Sequence, residues 1–273
     1  MYEINEFTQR EILDSALSDK VANILIEAIN LNGKASIAVS GGSTPKGFFK
    51  ALSQKDLPWE KVTITLADER WVDIDSDDSN TRLVHENLLQ NNAKTAKFFH
   101  LKQGEALSTD TLADLNLAAK TSLLPLDVLI LGMGGDGHTA SLFPCSDEIS
   151  EALSIDNNNV LMKVVPKTAP HQRITFSFAS LITSKNTFLH ISSMAKKEVL
   201  EKALSDDDKF VMPIRAFLNH DEIRDKISRF LNVELNEIDV YPGSVGKWKR
   251  TSELENCDLG FLDDLLEQLE YEK

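Results

Sequence analysis

Residues 132–138 read GMGGDGH, so an acid, Asp136, and a histidine, His138, stand two positions apart on a glycine-rich run. Imidazole moves protons near neutral pH, and a neighbouring carboxylate can set its tautomer or raise its basicity. The glycines let the backbone come close to a ligand or to another side chain. A second candidate is Ser40-Gly41-Gly42-Ser43-Thr44-Pro45. If a helix starts there, its unpaired N–H groups and positive dipole end suit an anion, although a plain strand-to-helix turn would use the same residues. A third is Asp68-Glu69-Arg70, with Ser79 and Asn80 ten residues on. These two acids and an arginine are either part of a site or a solvated cluster in which Arg70 and Arg82 only partner the acids.

The elements that must carry these residues follow from apolar spacing. The segment Leu126 to Pro144 opens with an apolar run of strand length, LDVLIL but for Asp127, that breaks into the glycines. Ala35–Ser40 and Val62–Ala67 are strands that run into the other two candidates, and Lys97–Leu101, Val160–Val165, Arg173–Phe178 and Thr187–Ser192 read as further strands. Helical spacing covers Thr8–Leu31, with Gly33 as its stop, and Leu107–Leu124, with Leu112, Leu115, Leu117 and Ala118 inward. Thr44 as N-cap and Pro45 at the first position predict a helix to about Leu52, and Ser79 caps another from Asn80 to about Gln90. Met194–Leu204 is a helix with Lys196 and Lys197 in its first turn, against the dipole unless an anion sits there. Strands alternating with helices predict an α/β fold with a mostly parallel sheet flanked by helices. Loops at the carboxyl ends of such strands are where ligands bind.

Several chemistries are disfavoured. Gly132, Gly134 and Gly137 match G-x-G-x-x-G, but Pro144 cuts short the helix a dinucleotide site needs, and no acid ends the next strand at Val164-Val165-Pro166-Lys167. The Ser40–Pro45 turn lacks the lysine of a Walker loop, and the second glycine that would make Ser43 a hydrolase nucleophile. Cysteines and histidines nowhere take metal-ligand spacing, so no metal and no cofactor are expected, and His85, His100, His171, His190 and His220 are read as structural. A net charge of -14 argues against nucleic-acid binding. Two cysteines, Cys145 and Cys257, fit a reducing compartment. With no apolar run of membrane-span length and no signal-like amino terminus, a soluble, cytoplasmic protein is expected.

Taken together, SGGSTP at Ser40–Pro45, DERWV at Asp68–Val72 with Ser79-Asn80, and GMGGDGHTASLFP at Gly132–Pro144 resemble the 6-phosphogluconolactonase family. Arg173-Ile174-Thr175, Lys196 and MPIRAFL at Met212–Leu218 extend the resemblance over roughly the first 220 residues. It implies the Rossmann-like fold of sugar-phosphate isomerases and deaminases, and hydrolysis of 6-phospho-D-glucono-1,5-lactone in the oxidative pentose phosphate pathway. It also implies roles: His138 as general acid/base oriented by Asp136; Gly41, Gly42, Ser43, Thr44, Arg70, Arg173 and Lys196 holding the substrate phosphate; Asp68 and Asn80 positioning the turn or the sugar hydroxyls. The related glucosamine-6-phosphate deaminases carry a glutamate in an Ala-Phe-Asn-Glu-Pro run, where this chain has Ala140-Ser141-Leu142-Phe143-Pro144. That favours lactone hydrolysis over an amino-sugar phosphate deaminase or isomerase; a non-catalytic sugar-phosphate sensor is the other alternative. Two positions depart from the family: Cys145 and Ser193 stand where glycine is usual.

Residues 1–220 are accordingly read as the catalytic domain and residues 221–273 as an acidic carboxyl-terminal extension for packing or a protein contact. The extension holds 14 acidic and 7 basic residues, half of the net charge, with helix-like apolar spacing at Phe230–Val240 and Phe261–Leu269.

Overall fold

The computed structural model describes residues 3–220 and 227–232. The strands are β1 (Glu3–Phe7), β2 (Ala35–Val39), β3 (Val62–Leu66), β4 (Asp68–Arg70), β5 (Lys97–Phe98), β6 (Val128–Leu131), β7 (Leu161–Val164), β8 (Arg173–Phe176), β9 (Asn186–Ser192) and β10 (Ile227–Asn232). The helices are α1 (Arg10–Asn32), α2 (Lys46–Ser53), α3 (Asn80–Asn87), α4 (Thr109–Ser122), α5 (Ile149–Ala152), α6 (Phe178–Leu181), α7 (Met194–Leu204) and α8 (Ile214–Leu218).

Strands of the type ASIAV and VLIL, buried along their whole length, pair side by side as a parallel sheet covered on both faces. Seven strands form it, all parallel, in the order β1-β10-β9-β6-β2-β3-β5. From β2 the chain steps outward through β3 and β5, then returns to lay β6 against the other side of β2. The loops leaving β2 and β6 therefore part in opposite directions from adjacent carboxyl ends and open a crevice between them. They are the Ser40–Pro45 turn and the glycine–histidine loop.

A second sheet, β4-β8-β7, is antiparallel. The sequence reads Asp68-Glu69-Arg70 as a strand's polar end, whereas it forms a strand of its own, with Asp68 opposite Thr175 and Arg70 opposite Arg173. Three charged residues carry no apolar alternation, which is why the pattern hides this strand.

Other expectations are corrected in detail. Pro45, not Thr44, occupies the N-cap position of α2, and no side chain caps it. Leu117 is 65% exposed on α4, whose buried residues are Leu115 and Ala119. Residues 230–232 belong to strand β10 rather than to a helix, and β10 lies within the sheet between β1 and β9. The sheet thus runs past residue 220, to Asn232. The remaining calls beyond that strand, on residues 233–273, lie outside the described residues.

Candidate functional site

Ser40 ties the two crevice loops together at their roots. Its hydroxyl donates to the Ile130 carbonyl at 3.1 Å and accepts from the Gly132 N–H at 3.1 Å. Beyond it, the β6 loop folds on itself: Gly134 N–H donates to the His138 carbonyl at 2.8 Å, and the Thr139 hydroxyl donates to the Gly132 carbonyl at 2.8 Å. The Gly137 carbonyl accepts from Ile214 N–H at 2.9 Å, so the start of α8 anchors the loop from outside.

Within that frame His138 Nδ1 lies 2.5 Å from Asp136 Oδ1, and the same carboxylate oxygen accepts the His138 backbone N–H at 3.1 Å. Burial alone would raise the Asp136 pKa, but the hydrogen bond and charge of His138, with backbone donors, outweigh it and hold the carboxyl below its ordinary range. Asp136 is therefore the acceptor and Nδ1–H the donor, which leaves Nε2 as the ring nitrogen outside that bond. The His138 ring stacks on Phe143, centroids 4.1 Å apart, and the Arg173 guanidinium lies 5.3 Å from the same phenyl centroid. Gly134 makes the arrangement possible, since a Cβ there would fall inside the imidazole.

The crevice brings together every residue that the sequence assigns to binding. Gly41, Gly42, Ser43, Thr44, Asp68, Arg70, Asn80, Arg173 and Lys196 all line it with His138. Asp136 does not line it and meets it only by its contact with His138. Arg173 is 7% exposed, and burial lowers its pKa, Asp68 opposing and Arg70 reinforcing the effect. Its Nε has no hydrogen-bond partner among the described residues. Arg70 donates to the Asp78 carbonyl at 2.7 Å, which fixes its side chain beside the crevice. Arg82 instead bonds Asp77 and Glu86 on the surface, so of the two arginines only Arg70 belongs to the site. Lys196 Nζ donates to the Met133 carbonyl at 2.8 Å, and burial pushes its pKa down against the opposing charge of Asp136. It is thus tethered to the histidine loop rather than to the Ser40–Pro45 turn.

Asn80 packs its side chain against Gly41, where a Cβ would meet it, and donates to the Asp68 carbonyl at 3.1 Å. Asp68 in turn accepts from the Ser141 hydroxyl at 2.6 Å and stands 3.9 Å from Arg173. At the departures from the family pattern, Ser193 takes φ 92°, a backbone region that favours glycine, while its hydroxyl accepts from Lys196 N–H at the start of α7. Cys145 Sγ lies 3.2 Å from Thr168 Oγ1.

Glu69 is a residue whose importance the sequence conceals. Only 1% exposed, it accepts from the backbone N–H groups of Arg70, Asn80 and Thr81 and from the Thr81 hydroxyl, all within 2.9 Å. It thereby seats Arg70 and the start of α3. Burial raises its pKa above the ordinary 4.5, and the donors offset this only in part. A carboxyl whose folded pKa exceeds its unfolded value binds protons more readily in the folded state, so its contribution to stability falls as pH rises through that interval. Glu69→Gln cannot ionise, and the acceptor it loses costs the same at every pH. The melting temperature of Glu69→Gln should therefore gain on the wild type as pH rises from 4.5 through the raised pKa of Glu69; a difference that stays flat with pH would refute this account.

His190, read from sequence as structural, is buried at the crevice floor. Its Nε2 is 3.8 Å from Asp14, and its ring meets Phe48 edge-on. Burial, with the charge of Arg10 adding to it, pushes its pKa down to about 3, so the imidazole is neutral. Among the described residues no three His, Cys, Asp or Glu side chains gather as a metal-ion cage, and no helix is long and apolar enough to cross a membrane.

Comparison with known proteins supplies independent context. Residues 8–225 match the family model described as glucosamine-6-phosphate isomerases/6-phosphogluconolactonase. A 6-phosphogluconolactonase from Rhizobium meliloti is 45% identical over 214 residues, covering 78% of this chain and 91% of the relative. The crystal structure of a 6-phosphogluconolactonase from Shewanella baltica superimposes with a TM-score of 0.81 at 41% identity, over 85% of this chain and 98% of that one. A monomeric glucosamine-6-phosphate deaminase, described as a missing link of the NagB superfamily, has a TM-score of 0.68 at 18% identity over 84% of this chain and 97% of its own, a likeness of fold.

Proposed function

The chain belongs to the glucosamine-6-phosphate isomerase/6-phosphogluconolactonase family, and from that premise we propose how it hydrolyses 6-phospho-D-glucono-1,5-lactone to 6-phospho-D-gluconate. His138 Nε2 takes a proton from water as the oxygen attacks C1 of the lactone. The tetrahedral intermediate collapses, the bond from C1 to the ring oxygen breaks, and the same nitrogen returns its proton to that oxygen. Asp136 holds the ring in the tautomer this requires and stabilises the imidazolium between the two transfers.

The observation that carries the assignment of the anion pocket is the register of β4 and β8. It sets Arg70 directly opposite Arg173 across an antiparallel pair. Like charges so placed repel, and a doubly charged phosphate between them and the Ser40–Pro45 turn relieves that repulsion. The orphan Nε of Arg173 gives such a ligand a further donor. Lys196, bound to the histidine loop, reaches the lactone end of the substrate and stiffens that loop. Asp68 and Asn80 brace the turn from behind.

Lactone opening is favoured over deamination by the contents of the Ala140–Pro144 segment. At the place of the deaminases' glutamate this chain has Phe143, and its ring covers one face of His138. No carboxylate is available there to assist amine loss. The reading sets the enzyme in the cytoplasm, with a small sugar-phosphate lactone as substrate and no metal or cofactor in the reaction. It leaves the acidic extension as a packing or protein-contact segment.

The test is a paired assay on purified protein, lactone consumption against ammonia release from glucosamine 6-phosphate. Lactone opening well above the buffer rate with no ammonia is the expected result. Lactone rates equal to buffer, or ammonia release, would overturn it.

A further inference from the structure

The first residue of α1, Arg10, stands at a position where a cation is disfavoured by the positive end of the helix dipole. Its guanidinium reaches across to the crevice turn. One nitrogen, Nη2, donates to the carbonyl of Ser43 at 3.1 Å and to the carbonyl of Thr44 at 3.0 Å, more than thirty residues away in sequence. One helical turn further on, Asp14 is 6% exposed and lies against Gly47, where any Cβ would collide with its carboxylate. Arg10 and Asp14 thus grip the crevice turn and the start of α2 from the outside.

The two carbonyls that Arg10 takes have unequal consequences. In a trans peptide the C=O and N–H point in opposite directions. Holding the Ser43 carbonyl outward on Arg10 therefore turns the N–H of Thr44 the other way, toward the crevice that Ser43 and Thr44 line. The next peptide joins Thr44 to Pro45, which has no N–H. That unit can show an anion only its carbonyl oxygen, which repels it. Arg10 binds this oxygen and keeps it turned away, so the turn presents donors and hides its one obligate acceptor.

We propose that Arg10 is a positioning residue that sets the preference for a phosphorylated lactone over its unphosphorylated counterpart, by aiming the peptide units of Ser43 and Thr44. This rests on the reading of the Ser40–Pro45 turn as the phosphate site. Arg10 itself does not line the crevice, and its hydrogen bonds reach substrate through the turn.

The experiment compares kcat and KM of wild type, Arg10→Gln, Arg10→Lys and Gly42→Ala on 6-phospho-D-glucono-1,5-lactone and on D-glucono-1,5-lactone, with thermal melts of each. Loss of one aimed donor to a charged group should lower the kcat/KM ratio of phosphorylated to plain lactone about tenfold in Arg10→Gln. The change should appear in KM rather than kcat, and inorganic phosphate should inhibit the variant more weakly. Arg10→Lys should recover part of the ratio, because an ammonium keeps the charge without the guanidinium's geometry. It also serves as the folded control if Arg10→Gln melts early. Gly42, at φ 93°, forces the turn itself to strain when replaced by alanine. If Gly42→Ala lowers the ratio and neither Arg10 variant does, the inference about Arg10 falls while the phosphate turn stands. If Gly42→Ala affects both lactones equally, the phosphate reading of the turn falls. Equal losses on both lactones in Arg10→Gln, or a loss confined to kcat, would also overturn the proposal.

Discussion

His138→Ala is expected to lose about a hundred- to ten-thousand-fold in kcat on the phosphorylated lactone, the range that a single general acid/base supplies. KM should change little, because the phosphate contacts come from other loops. The fold should survive, since the His138 side chain is 28% exposed and its backbone bond to Gly134 needs no imidazole. His138→Gln sharpens the result: a glutamine can hydrogen-bond near the same place but cannot shuttle a proton, so it should be as poor as alanine. A His138→Ala enzyme with near wild-type kcat would show that water attacks without this histidine. Lactones open spontaneously, so the rates must be read after subtracting a buffer blank at each pH.

Gly134→Ala should be nearly as damaging while adding only a methyl group. The Cβ would overlap the His138 ring and press on Asp136 Oδ1, so the imidazole must swing off its carboxylate. A displacement of about 1 Å in a catalytic group costs roughly a hundredfold in rate. Gly134 is not at positive φ, and its neighbours are loop side chains able to shift, so the melting temperature should stay near that of the wild type. Activity lost with stability kept separates this from an unfolding mutation. Full activity in Gly134→Ala would mean that the Asp136–His138 contact is dispensable.

The site was legible in sequence to an uneven degree. The Asp136–His138 pair is local, two residues on one loop, so its geometry follows from spacing, and the structure brings them together. The Ser40–Pro45 turn is equally visible because a strand, a glycine pair and a proline follow one another. The long strands and α1 announce themselves by apolar periodicity, since each is buried along a face that the pattern traces. What spacing cannot show is pairing across distance. Nothing in Asp68-Glu69-Arg70 alone tells that Arg70 will face Arg173, because the strand is short and wholly polar. Spacing leaves Glu69 open between a solvated cluster and a site, and its buried ring of donors is what decides. Arg10 reads as an ordinary polar residue at the start of an amphipathic helix, although a cation at that end was itself a sign. Phe230 and Leu231 carry helix-like spacing but add a strand to the sheet, where tertiary pairing overrides a short local pattern.

The position of β10 bears on how the molecule comes together. β1 pairs not with any near neighbour but with β10, which follows it by more than two hundred residues and also carries the register from β1 to β9. During synthesis β2, β3, β5 and β6 can assemble in the order they emerge, with α1 docked on β2 and β6 and α2 on α1. The amino-terminal strand must wait unpaired through all of this, and the loop closed at the end is nearly the length of the whole sheet. Capture of β1 should thus be a late and slow event in folding, and the backbone amides of β1 the last of the sheet to gain protection from hydrogen exchange.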